Sequence, residues 1–202
     1  MPSVLYLIRH GETEWSLTGQ HTGTTEIPLT QDGQSAAREL GDPLGQVPFS
    51  RILCSPRLRA RQTCELAGLG TSMELEPDLA EWNYGEYEGQ RSLEILDSRP
   101  DWNLFEHGCP GGESVQQVSE RADRLLARLM AADETIALFT HGHFARILGA
   151  RWIGLDAIQG KHLLLNPASI SILGCEPHHT DTPGILLWNA SASGDVLRGS
   201  VE

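Results

Sequence analysis

Val4-Leu5-Tyr6-Leu7-Ile8 runs directly into Arg9-His10-Gly11-Glu12-Thr13, and the architecture is decided at that junction. The apolar run is β-prone and short, as a buried strand is. In open α/β sheets, ligands bind at the carboxyl ends of strands, where loops and helix N-termini point outward. A cation, an imidazole and a glycine stand where such a sheet builds a site. Arg9 offers a fork of donors shaped for an oxyanion, and His10 a base or nucleophile working near neutral pH. Gly11 is expected to let the backbone approach a ligand. These residues alone do not separate a site from a strand end that happens to carry Arg and His. The rest of the chain does.

A second strongly apolar run, residues 135–140 (TIALFT), empties into His141-Gly142-His143, and the short run 51–54 (RILC) into Ser55-Pro56. Thr30 is predicted to cap a helix over 31–40 that Gly41 and Pro43 end. Ser55 as N-cap with Pro56 at N1 predicts another helix. Residues 114–130 carry an amphipathic pattern, 144–152 a further helix, and 73–76 a more exposed strand. In the tail, strands at 169–173 and 185–188 flank a polar turn over 176–184. Strands alternating with helices predict a mostly parallel sheet covered on both faces, a three-layer α/β/α arrangement, as one domain over 1–202. Residues 77–113 differ in texture. Glycine, proline and aromatics replace clear periodicity there, the signature of an inserted lid.

The composition narrows the partners. With 27 Asp+Glu against 15 Lys+Arg the net charge is -12, which argues against nucleic acid or an anionic membrane surface. An anionic small molecule fits only if the few arginines concentrate in one pocket. The four cysteines form no CxxC pair, so free thiols in a reducing, cytoplasmic setting are expected. No apolar run nears the ~18 residues of a membrane span.

The residues able to carry chemistry sit just past strands or at helix starts. With Pro56 at N1, Arg59 falls at N4 of a helix whose N-terminus favours anions, while Arg57 and Arg61 are read as a solvated face. Glu81, in LAEWNYGEYEG, lies beside aromatics that can desolvate a carboxyl and raise its pKa toward a general acid's value. On composition alone the reading as a loop carboxylate wins. His141, taken singly at a strand end, is more often structural than catalytic.

Together RHGETEW, SPRLRARQT, LAEWNYGEYEG and THGH, in this order, resemble the histidine phosphatase superfamily, whose fold is phosphoglycerate-mutase-like. The match spans residues 4 to about 153. The fuller strings, including WSLTGQHTG and HGCPGGES, are similar to the sedoheptulose-bisphosphatase-type branch and related small acid phosphatases. The resemblance implies His10 as a phosphorylated nucleophile and Glu81 as proton donor to the leaving oxygen. It implies Arg9, Arg59 and His141 as the grip on the phosphoryl oxygens, and Ser16, Thr22, Gly23 and Gly142 as further substrate contacts. Mutases carry Asn at position 16, so Ser16 implies a weaker or water-mediated contact. Two guanidiniums and an imidazolium would neutralise a phosphoryl group without a metal or cofactor.

The reading is therefore a phosphatase acting on a small phosphorylated metabolite. A phosphoglycerate mutase is the alternative, but it needs extra cations to turn its substrate. Residues 88–113 hold only Arg91 and Arg99 against six carboxylates, and the tail past Gly174 only Arg198. A metallohydrolase built on His141-Gly142-His143 lacks further ligands, since Phe144, Ala145 and Arg146 follow. A non-catalytic phosphate-binding module is disfavoured because every implied catalytic position is filled. The aromatics Trp82, Tyr84, Tyr87 and Trp102, with His107, are candidates to shape the substrate side.

Overall fold

The computed structural model describes residues 3–131, 133–176 and 178–192. Among them, six strands form one sheet: β1 (Val4–Arg9), β2 (Arg51–Cys54), β3 (Met73–Leu75), β4 (Thr135–Thr140), β5 (Ser169–Glu176) and β6 (His179–Ser191). Their order is β3-β2-β4-β1-β5-β6. The first three pairings are parallel, and β5 joins β1 and β6 antiparallel.

The period of two along each strand sorts side chains onto two faces. Leu5, Leu7, Leu53, Ile136 and Leu138 point to one core, Ile8, Ile52, Cys54, Ala137 and Phe139 to the other. The first core is covered by α7 (Val115–Met130) and α8 (Gly142–Trp152), the second by α2 (Gln31–Glu39), α3 (Gly41–Leu44) and α4 (Leu58–Leu66). This is the expected three-layer α/β architecture. Ser114 and Gln117 form the capping box of α7, which buries Val118, Ala122, Leu125, Leu126 and Leu129 on one stripe. No helix of the described residues is long and apolar enough to cross a membrane.

α2 ends at Glu39 with Leu40 as its C-cap, as Gly41 and Pro43 predict, and a separate short helix, α3, starts at Gly41 and buries Leu44. Pro43 is tolerated there because first-turn N–H groups have no intrahelical partner. Three local expectations are corrected. Ser55 does not cap α4. Arg57 is the N-cap, without a side-chain bond, and Arg59 falls at N2. The second is α8, which begins at Gly142 rather than Phe144. Finally, most of the polar turn over 176–184 is strand, because β5 and β6 form a long, bulged hairpin. Pro183 is accommodated because β6 is an edge strand, where a missing N–H breaks no inner ladder.

Residues 77–113 include α5 (Ser92–Ser98) and α6 (Leu104–His107) among 3₁₀ turns. They bury Trp82, Tyr84, Ile95, Trp102, Leu104 and Phe105 in the same core as α7 and α8. Arg198 lies outside the described residues.

Candidate active site

A cavity of about 220 Å³ opens at the carboxyl ends of β1 and β4. Arg9, His10, Ser16, Thr22, Glu81 and Gly142, all singled out by sequence, line it. The backbone of His10 continues the sheet, its N–H donating to the Thr140 carbonyl (3.0 Å) and its own carbonyl accepting from the N–H of Ala168 (3.0 Å). Its Nδ1 lies 2.7 Å from the Gly11 carbonyl. A carbonyl only accepts, so Nδ1 carries the proton and Nε2 keeps a lone pair. Burial, then Arg59 and Arg9, hold the imidazole well below the usual histidine range, which keeps it neutral and nucleophilic.

The guanidinium of Arg9 donates to the Leu165 carbonyl. Its Nε is buried and has no hydrogen-bond partner among the described residues. Gly142 passes directly beneath it. A Cβ there would lie 3.2 Å from the guanidinium carbon, so this glycine makes room for the arginine. Gly11 serves packing in the same way. Its Cβ would meet the Gly33 carbonyl oxygen at 2.5 Å, and a Cβ on Gly33 would meet the Glu12 carbonyl oxygen at 2.2 Å. The close approach is therefore to α2, where a ligand was expected.

Arg59 and His141 stand one layer back, both at 0% exposure. Arg59 donates from Nε to His141 Nδ1 (3.1 Å), and from its terminal nitrogens to the carbonyls of Thr22 (2.8 Å), Gly23 (3.2 Å) and Thr25 (3.2 Å). Since His141 Nδ1 accepts, its proton sits on Nε2, which donates to Ser55 Oγ at 2.7 Å. The same hydroxyl, expected to cap α4, also accepts the backbone N–H of Arg57 at 3.3 Å, the residue that takes the N-cap position instead. Burial, with Arg59 and His10 next, holds His141 well below the usual histidine range. It is thus a neutral ring behind His10, centroids 5.2 Å apart, where an imidazolium clamp was expected.

Glu81 caps α8. Oε1 accepts from the backbone N–H groups of Trp82 (2.9 Å) and Phe144 (2.8 Å), and Oε2 from that of His143 (3.0 Å). His141, the N-cap residue, supplies no side-chain bond, so the carboxyl oxygens of a residue from another element take up the orphan donors at the helix start. Arg121 on α7 fixes the turn that delivers it, donating to the carbonyls of Asp78 (2.8 Å) and Ala80 (2.7 Å) and pairing with Glu113 (3.0 Å). Backbone donors, more than the neighbouring rings, set the environment of this carboxyl.

Ser16 Oγ is used locally. It donates to the Thr13 carbonyl and accepts the Thr13 N–H in the capping box of α1 (Glu14–Thr18). The Gly23 N–H is not offered to the cavity, because Glu88 takes it at 2.9 and 3.1 Å together with that of Thr25 at 2.9 Å. Arg57 reaches the Thr24 carbonyl and Glu26, so it too is tied to this loop and is not simply solvated.

The opposite wall holds His21 and Arg146, which sequence reasoning missed, together with Tyr84 and His143, the latter read from the sequence as a support of the pocket or a helix-start residue. Ring centroids of His21 and Tyr84 are 4.8 Å apart, those of His143 and Phe105 5.5 Å. Arg146 lies 4.6 Å over the Phe105 ring and donates to the carbonyls of Gly160 and Lys161. Arg146 follows His143 by three residues and Gly142 by four along α8, so it lies on the same side of the helix as each, a spacing visible in the sequence. Trp82 and Trp102, expected to shape the site, are core residues whose indole N–H groups donate to Glu113 and Gly108 carbonyls. His107 lies away from the cavity, its Nδ1 accepting from the Asn103 N–H. Among the described residues, no three His, Cys, Asp or Glu side chains cluster as metal ligands would.

The chain is 44% identical over 176 residues to an acid phosphatase of Mycobacterium tuberculosis, covering 85% of this chain and 86% of that one. It is 37% identical over 198 residues to sedoheptulose 1,7-bisphosphatase of Saccharomyces cerevisiae, covering 80% and 72%. The solved structure of the Mycobacterium tuberculosis open reading frame Rv3214 superposes with a TM-score of 0.87 at 39% identity, covering 94% and 98%. Residues 5–190 match the histidine phosphatase superfamily (branch 1). With a neutral histidine at a strand end, an arginine beside it and a capped carboxyl opposite, the chain belongs to that superfamily and is a phosphatase of it.

Proposed function

We propose that the protein is a metal-independent phosphatase that hydrolyses small phosphomonoesters, sugar phosphates or related metabolites, through a phosphohistidine on His10. The observation carrying this reading is the Nδ1–H to Gly11 carbonyl bond, which leaves Nε2 unprotonated in a cavity shared with Arg9 and Glu81. Nε2 attacks phosphorus, the P–O ester bond breaks, and the leaving oxygen takes a proton from Glu81. Oε2 holds that proton, having one N–H donor against two on Oε1. Water then attacks the phosphohistidine and gives its proton to Glu81, restoring both groups. Arg9 meets the phosphoryl charge in the cavity, and Arg59 adds its field from behind. Residues 77–113 act as a lid within a single domain over 1–202, and the unpaired cysteines suit a reducing cytoplasm.

Rapid quench with labelled substrate should trap acid-labile, base-stable phosphate on His10, and turnover of an aryl phosphate should survive exhaustive EDTA. Activity lost in EDTA and restored by Zn²⁺ or Mg²⁺ would overturn the metal-independent part. Arg146 favours the mutase alternative, since it places a second arginine in the cavity. Isomerisation and phosphate release measured in parallel on phosphoglycerate decide between them, with release expected to dominate.

A further inference from the structure

We propose that His143, held by Tyr84 as its Nε2–H tautomer, is a neutral donor that selects phosphate esters carrying a hydroxyl beside the ester carbon, so that polyol phosphates are the substrate class. The inference rests on the phosphatase reading above and deepens it.

The argument begins with the Tyr84 hydroxyl, which lies 2.6 Å from His143 Nδ1 on a residue 1% exposed. No other hydrogen-bond partner of this hydroxyl is found among the described residues. If Nδ1–H donated to it, the phenolic proton would be left buried and unpaired, which is costly. Burial first, then Glu81, raises the Tyr84 pKa well above the usual tyrosine range, so that proton stays on the oxygen. The hydroxyl therefore donates to Nδ1, and the single proton of a neutral imidazole goes to Nε2.

Burial, with Arg146, His21 and Arg9 behind it, keeps the ring well below the usual histidine range and hence uncharged. Nε2 has no partner among the described residues, while the ring lines the cavity. The backbone N–H of the same residue holds Glu81 Oε2. Whatever oxygen leaves toward Glu81 thus brings its neighbouring carbon close to this ring. An uncharged N–H there asks for a lone pair and not for an anion, as a hydroxyl on that carbon provides. Arg9 and Arg146 already serve anions, so the donor adds a different discrimination.

Glycerol 1-phosphate and n-propyl phosphate share a carbon skeleton and differ in hydroxyls. The wild type should favour the first by about 10-fold in kcat/KM, the worth of one neutral hydrogen bond. In His143→Phe, which keeps a ring against Phe105 and His21, that ratio should fall to about 1. In Tyr84→Phe it should fall part of the way. Long-range ¹H–¹⁵N spectra of the wild type at neutral pH should show Nδ1 unprotonated and Nε2 protonated on His143. A protonated Nδ1, a wild-type ratio near 1, or variants that slow both esters by one factor would each overturn the assignment and leave the phosphatase intact. A wild type inactive on both esters and on an aryl phosphate would overturn the phosphatase reading itself, and this inference with it.

Discussion

His10 and His21 face one cavity from opposite sides and are held by different means. His10 is an extension of the sheet, with both its backbone groups bonded to sheet-end neighbours and its ring turned by the adjacent carbonyl. His21 belongs to two loops sewn together. Its N–H donates to the Gln90 carbonyl (2.9 Å), its carbonyl accepts from Gly89 (2.8 Å), and Glu88 pins the loop two and four residues on. The contrast separates two tasks. On the proposed reading the bond-breaking groups His10 and Glu81 form the floor, held by a strand end and a helix end. His21 stands on a loop that forms part of the wall meeting the rest of the substrate.

The largest effect should come from the floor. His10→Ala removes the nucleophile and should cut kcat by more than ~10⁴-fold, as loss of a covalent catalyst does; a full rate in that variant would break the contrast at once. Glu81→Gln keeps the α8 cap partly served and removes the transferable proton. It should lower kcat for alkyl phosphates by ~10²-fold or more and far less for a nitrophenyl ester, whose leaving group needs no proton. Equal losses in single-turnover phosphorylation would mean that Glu81 is not the acid.

The two sides share one liability on acidification. Burial pushes His21 down to about 4, and His10, His141 and His143 lie well below their usual range. The folded state therefore refuses protons that the unfolded chain accepts below pH ~6.5. Stability is full above that pH and falls as the pH drops toward the folded pKa values, by up to about 3 kcal/mol from His21 alone. Urea midpoints at pH 7 and 5 measure it, and His21→Gln should flatten the profile.

The smallest effect should come from the seam. Glu88→Ala frees the N–H groups of Gly23 and Thr25 at a cost of about 1–3 kcal/mol. It should raise KM by ~10-fold with kcat changed less, because the loop carries Thr22 and the carbonyls that hold Arg59. A kcat loss matching that of Glu81→Gln would show that floor and wall are not separable.

What was legible in the sequence follows the same division. Strands β1 and β4 and the stop residues Arg9, His10 and His141 are local patterns, an apolar run of period two ending in polar groups. Whatever depends on a distant partner was not legible. Ser55 looks like a helix cap, yet its shortest side-chain bond is to His141, 86 residues on, and the N-cap falls at Arg57. Gly23 resembles a substrate contact until Glu88 occupies its N–H. Trp82 and Trp102 are aromatic enough for a sugar site, yet carbonyls within residues 108–113 satisfy their indoles and draw them into the core. Arg146 is the miss that spacing could have prevented, as it shares a helix face with Gly142 and His143.

The paired glycines Gly11 and Gly33 also bear on timing. Where two elements meet through side chains, the gap between them fluctuates as rotamers hop on picosecond to nanosecond scales. Here the loop carrying His10 rests on α2 with no side chain between, at a separation a single methyl would breach. The imidazole is thereby registered against a helix axis, and its rest position is insulated from side-chain noise. On the proposed mechanism its aim at an incoming phosphorus atom is thus set before any substrate arrives, and the contact leaves no slack to be taken up during the reaction.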